Sequence, residues 1–93
     1  MKIAHPHQHA KELGDYLCEL REERGLTQVE VGNRLRRDQT FVSKYESAKR
    51  GLGVFELMEV CDALGVSFQR VCRVCRKIYE KGRKGINAKK PKP

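Results

Sequence analysis

Residues 27–50 read TQVEVGNRLRRDQTFVSKYESAKR, and the fold turns on this stretch. Thr27 is a good helix N-cap, because its hydroxyl can accept a bond from a first-turn N–H that the helix leaves free. Glu30 stands three residues on, the spacing of a capping box. Leu26, just before the cap, is placed to staple onto Val31 in the next turn. The helix opened in this way predicts Val31 and Leu35 facing inward and runs to about Leu35. Arg36-Arg37 forms a short turn. Asp38 then caps another helix over about 39–47, with Val42 and Tyr45 inward and Phe41 at the edge. Two short helices joined by such a turn form a helix-turn-helix unit.

The second helix of the pair turns Gln39, Thr40, Ser43 and Lys44 outward. A glutamine can bond adenine's edge in bidentate fashion, a lysine can donate to guanine, and threonine or serine can serve either role. The same four residues would also suit the ordinary polar face of a helical bundle, and the pattern by itself leaves both readings open. Glu46 is the one acid on this helix, and a face meant for phosphate has to account for it.

Outward from this unit the chain reads as helices throughout. Leu13, Leu17 and Leu20 fall on one face of a helix that begins near Ala10, with Arg21 and Arg24 complementing its C-terminal dipole and Gly25 ending it. Residues 48–53, AKRGLG, read as a loop. A fourth helix over about 54–64 carries Leu57, Val60, Cys61 and Leu64 inward, and Gly65 stops it. Ser67 caps a fifth, marked by Phe68, Val71, Cys72, Cys75 and Tyr79. No strand-like alternation and no internal repeat is present. The expectation is an all-α domain of five helices over residues 10–81, preceded by a flexible arm (1–9) and followed by a disordered basic tail (82–93).

Charge is unevenly spread over the 93 residues. Net charge is +8, yet residues 51–69 hold no base and three acids, while residues 70–93 hold ten bases and one acid. Residues 27–50 hold six bases and three acids. This distribution suits a polyanion, or else a solvated helix with a solubility tail. No run of about eighteen apolar residues exists to span a membrane, and MKIAHPHQHAK lacks the apolar run of a signal peptide, so the expected location is the cytoplasm.

Cys18, Cys61, Cys72 and Cys75 would stay reduced there. Cys72-x-x-Cys75 has a spacing used for zinc or redox work, but it falls in a helical pattern with no second Cys or His pair at zinc-finger spacing. Buried small thiols are the reading it favours. His5, His7 and His9 alternate around Pro6 and read as part of the arm, not as a metal site. No Ser/His/Asp or Cys/His set, phosphate loop or carboxylate pair falls on ordered elements, so neither an enzyme nor a cofactor is expected.

Gly25-Leu26-Thr27-Gln28, Phe41-Val42-Ser43-Lys44-Tyr45-Glu46 and Ala63-Leu64-Gly65-Val66-Ser67 together resemble the phage-repressor and Cro family, also called the xenobiotic-response-element family, over about residues 13–75. The resemblance implies a five-helix lambda-repressor-like domain that binds double-stranded DNA and regulates transcription, probing the major groove with helix 39–47. It implies base-reading or phosphate-contacting positions at Gln39, Thr40, Ser43 and Lys44, and a phosphate bond at Gln28, which also braces the recognition helix. Arg36, Arg37, Lys49 and Arg50 fall where further phosphate contacts are expected. It also implies an ion pair between Arg21 and Glu46, which would neutralise that acid locally. By this reading Gln39 and Lys44 set sequence preference and Gln28 sets affinity alone.

Three positions depart from the family pattern. Arg36 stands where a glycine usually ends the turn; a non-glycine at positive φ is uncommon, so either the turn differs or Arg36 carries strain. Ala48 replaces a frequent glycine after the recognition helix. Gly32 replaces a frequent alanine. A repressor-like homodimer is expected, since one short helix reads few base pairs; the apolar residues of the fifth helix either add a dimer face or close the monomer core, Phe68, Val71 and Cys75 being the ones expected in the core. The alternative is an interaction module of the antitoxin kind, its basic C-terminal segment taking a protein partner.

Overall fold

Thr27 opens its helix as its side chain suggests: the hydroxyl accepts from the Glu30 N–H at 3.1 Å, and the Glu30 carboxylate accepts from the Thr27 N–H at 2.8 Å. In the computed structural model, which describes residues 6–82, five helices follow one another: α1 (Pro6–Glu23), α2 (Gln28–Leu35), α3 (Gln39–Glu46), α4 (Val54–Leu64) and α5 (Phe68–Gly82). Among the described residues there is no strand. Asp38 caps α3 through the Phe41 N–H, and Ser67 caps α5 through the Arg70 N–H at 3.2 Å. Gly25 and Gly65 end α1 and α4 in the left-handed conformation, at φ 70° and 72°.

α1 begins earlier than the sequence suggests. Residues 6–9, expected in a flexible arm, form its first turn. Proline suits the first position of a helix, where its missing N–H would have had no partner. This start is anchored from α5: the His9 ring lies against Tyr79, with centroids 6.2 Å apart, and Lys81 pairs with Glu12 at 2.8 Å. His5 and most of the expected basic tail lie outside the described residues.

α1 packs on α3 and α5, α2 on α3 and α4, and α4 on α5. One core joins them: Leu17, Leu20, Val31, Val42, Tyr45, Val60, Cys61, Leu64 and Val71 are nearly or wholly closed to solvent. At about 25 cal/mol per Å² of apolar surface removed from water, such a cluster is the main stabilising contribution in a domain this small. Phe68 and Cys75 pack against the cluster from α5, and Ile78, which the sequence reading passed over, is also buried. Tyr79 stays 43% exposed, and Cys72, expected as a buried thiol, is exposed because it falls outside the inward stripe of Val71, Cys75 and Ile78. The apolar side of α5 is therefore largely used inside the monomer.

Two glycines let helices approach more closely than any other residue would. A Cβ on Gly14 would lie 2.6 Å from the Tyr45 carbonyl oxygen and 2.7 Å from that of Glu46, so α1 rests on the backbone end of α3. One on Gly32 would lie 2.9 Å from the Arg37 carbonyl oxygen, so this position is tighter than an alanine would allow. The first contact sets how closely α1 sits on α3, and the second how tightly the turn before α3 folds back on α2.

Candidate nucleic-acid interface

The turn between α2 and α3 keeps its left-handed residue although no glycine is there. Arg36 has φ 58° and ψ 38°, and its N–H reaches the Asn33 and Gly32 carbonyls. Ala48, after α3, has φ 64°. Of the two readings the sequence left open at Arg36, the geometry therefore takes the strained one: the turn is retained, at a cost on the order of 1 kcal/mol for each such residue.

With that turn in place, four side chains from three helices form one relay. Arg21 of α1 donates from Nε to Glu46 Oε2 at 2.7 Å and from Nη2 to Oε1 at 3.1 Å. Its Nη1 donates to the Leu26 carbonyl at 2.8 Å. Glu46 Oε1 also accepts from Gln28 Nε2 at 2.9 Å, and Gln28 Oε1 accepts from Gln39 Nε2 at 2.7 Å. The Arg21 and Glu46 side chains are 11% and 6% exposed, so the inner end is almost dry, while Gln39 opens to solvent. A bidentate guanidinium–carboxylate pair has strong directional bonds in such surroundings. Its neighbours register the environment: burial, and then the Glu46 charge, push the Cys18 thiol and the Tyr45 hydroxyl above their ordinary pKa values.

The remaining residues of the outward face differ in how far they are committed. Thr40 and Lys44 are exposed and Ser43 is half-buried; the Ser43 carbonyl accepts from the Ser47 hydroxyl at 2.8 Å. Arg36 and Lys49 are exposed, and no ion pair with another described residue holds them or Lys44. Arg37 and Arg50 are engaged. Arg50 forms two bonds to Glu56, at 2.9 and 3.0 Å, and Arg37 approaches the same carboxylate at 3.6 Å. Both guanidinium groups lie over the Phe41 ring, 4.2 and 4.8 Å from its centroid. Arg50, expected at phosphate, thus already has an internal anion.

Sequence reasoning passed over Glu56, and it placed Phe41 only at the edge of α3, whereas the ring is buried beneath the two guanidinium groups. A signal existed for Glu56: it stands three residues after Gly53, and its Oε1 accepts the Gly53 N–H at 2.9 Å. The arginine partners come from the turn and loop flanking α3, a pairing that no local spacing announces. Arg34 is a second such case, donating to the Ala63 carbonyl at 2.8 Å to tie α2 to the end of α4. Among the described residues no group of three His, Cys, Asp or Glu is placed to hold a metal, and no helix is long and apolar enough to cross a membrane.

A helix-turn-helix domain family model matches residues 12–75. A solved XRE-family-like protein from Pseudomonas syringae is similar over 75% of this chain and 85% of its own, with 37% identity and a TM-score of 0.69. The chain belongs to the XRE family of helix-turn-helix DNA-binding proteins. An uncharacterized HTH-type transcriptional regulator of Sinorhizobium fredii, y4dJ, is 42% identical over 57 residues, which cover 61% of this chain and 74% of the relative. The clp gene regulator ClgR from C. glutamicum shares the XRE-type fold at a TM-score of 0.68 and 25% identity, over 76% of this chain and 91% of its own. The matched region spans α2 and α3, so the relay lies inside the part of the chain that carries family membership.

Proposed function

We propose that this protein is a sequence-specific regulator of transcription, of the repressor kind, that reads the major groove of double-stranded DNA with α3. The observation that carries the reading is the relay from Arg21 to Gln39. It anchors the first residue of α3 to two other helices and leaves the second N–H and the carbonyl oxygen of Gln39 available, the donor–acceptor pair that adenine's edge requires. Thr40, Ser43 and Lys44 supply the neighbouring contacts. Gln28 at the N-terminus of α2, with Arg36 and Lys49, meets phosphate, where free N–H groups and the helix dipole favour an anion. The protein works in the compartment that holds the DNA.

The relay alters the expected division of labour. Gln28 holds the Gln39 amide at 2.7 Å, so it influences base preference as well as affinity. Selection from random duplexes would yield the half-site. Gln39→Ala should then cost about 1–3 kcal/mol and relax one base position, as loss of a bidentate base contact does. Gln28→Ala should weaken all sites and also blur that same position. If Gln39→Ala lowers affinity uniformly and leaves base preference intact, α3 is not docked in this way.

The protein acts as a two-fold dimer on half-sites about 34 Å apart, one helical turn. With Val71 buried and Phe68 and Cys75 packed on the core, α5 has little apolar surface left, and its outward side is dominated by Arg70, Arg73, Arg76 and Lys77. Val54, Phe55 and Met58 of α4 are 56%, 74% and 38% exposed and make the better face for a second copy. Ultracentrifugation of the protein on a selected duplex tests this, with Phe55→Glu as the variant. A single protein bound to an asymmetric site would overturn the dimer.

A further inference from the structure

Arg37 and Arg50 come from opposite ends of α3, one in the turn before it and one in the loop after. The fold delivers both to the Phe41 ring and to one carboxylate, Glu56. That carboxylate is pinned from its own side by the Gly53 N–H, and it sits in the segment 51–69 that holds no base. The two arginines are held unequally. Arg50 has the bidentate clasp of a guanidinium on a carboxylate, a geometry that a phosphate would present equally well. Arg37 has one approach at 3.6 Å, too long for a hydrogen bond, and its side chain is 44% exposed.

We propose that Glu56 is an internal phosphate surrogate: it keeps Arg50 out of the DNA backbone contacts and leaves Arg37 as the arginine that crosses over to a phosphate on binding. The proposal rests on the DNA-binding reading above and adds to it a residue, on α4, that limits sequence-independent affinity. Arg50 gives up two short bonds if it leaves, whereas Arg37 gives up a loose attraction and keeps its ring contact within reach. Each phosphate newly neutralised by the protein steepens the fall of log K with log salt by about 0.9. The presence of Glu56 is therefore readable as one missing unit of salt dependence.

The test measures binding of the full chain to a mixed-sequence 30-base-pair duplex across a tenfold range of salt, with folding of each variant checked by circular dichroism. Glu56→Gln should steepen the slope by about 0.9 per bound chain, and by about twice that for a bound dimer, because Arg50 is released. Adding Arg50→Ala to Glu56→Gln should return the slope to that of the unaltered protein. Arg37→Ala alone should flatten it by about 0.9 per bound chain, and this arm stands even if Glu56→Gln fails to fold. An unchanged slope in folded Glu56→Gln, or in Arg37→Ala, overturns the proposal. If the unaltered protein shows no salt-dependent binding to duplex, the DNA-binding reading itself fails, a distinct result.

Discussion

Arg21→Ala tests the inner end of the relay most directly. The substitution removes two bonds to Glu46, at 2.7 and 3.1 Å, and a third to the Leu26 carbonyl at 2.8 Å. It leaves a carboxylate that is 6% exposed with the Gln28 amide and the weak Cys18 thiol as side-chain donors. Breaking a buried ion pair from one side costs about 3–5 kcal/mol, because the partner's charge is stranded. The Gln28 amide and some entry of water offset part of that, and a figure near 3 kcal/mol is expected. For a domain of this size each kcal/mol moves the melting temperature by about 4–8 °C, so Tm should fall by roughly 12–24 °C. Glu46→Ala should cost somewhat less, about 2 kcal/mol, since the long arginine side chain can turn its head to water. The double variant strands no charge and should cost about 3 kcal/mol, well short of the sum, a coupling near 2 kcal/mol. Thermal unfolding followed by circular dichroism measures all three. Losses that add to within about 0.5 kcal/mol would refute the claim that these residues act as a buried pair.

The remaining predictions concern the backbone, acid stability and thiols. Gly14→Ala should destabilise by about 3 kcal/mol, because its Cβ meets two backbone oxygens that move only if α1 and α3 part; Gly32→Ala, with its closest contact at 2.9 Å, should cost less, and equal losses in chemical denaturation would contradict this. Ala48→Gly should stabilise by about 1 kcal/mol, since φ 64° is strained for alanine and free for glycine; a lower denaturation midpoint would count against that strain. The Arg50 guanidinium and then the Gly53 N–H, with Arg37 adding its charge, hold the Glu56 carboxyl down from 4.5 to about 2. A pKa lowered by folding means that the stabilisation is complete above about pH 4.5 and fades as pH falls toward 2. Glu56→Gln should therefore be most damaging near neutral pH and converge on the parent in acid, and a difference that does not change with pH would oppose the pairing. In alkylation of the native protein Cys72, which is exposed, should react first, whereas Cys61, wholly buried and pushed up to about 11 by that burial, should react only on unfolding; early labelling of Cys61 would mean that the core opens at α4.

Much of the fold was legible because its signals are local. Thr27 with Glu30, Asp38, Ser67, Gly25 and Gly65 each mark a helix end through a bond or backbone angle confined to a few neighbouring residues. The inward stripes at Val31, Val42, Leu57, Val60 and Leu64 follow from helical period alone. The start of α1 was not legible, since Pro6 and the histidines after it carry no apolar period; Lys81 and Tyr79, some seventy positions away, meet that first part of the helix. Gly14 was silent for the same reason: nothing near it in sequence says that the end of α3 lies against its backbone.

The candidate site divides along the same line. From sequence alone come the identity and outward placement of Gln39, Thr40, Ser43 and Lys44, because a capped helix with Val42 and Tyr45 inward admits one polar face. Motif resemblance added the Arg21–Glu46 pairing and a bracing part for Gln28, without their geometry. Only the tertiary structure decided that Gln28 links Glu46 to Gln39, that Arg36 and Ala48 take left-handed angles without glycine, and that Arg37 and Arg50 share Glu56 over the Phe41 ring. The physical reason is range. Caps and periodicity are settled within one or two helical turns, whereas a guanidinium chooses its anion among every acid that packing brings within about 4 Å, and packing is a property of the whole core.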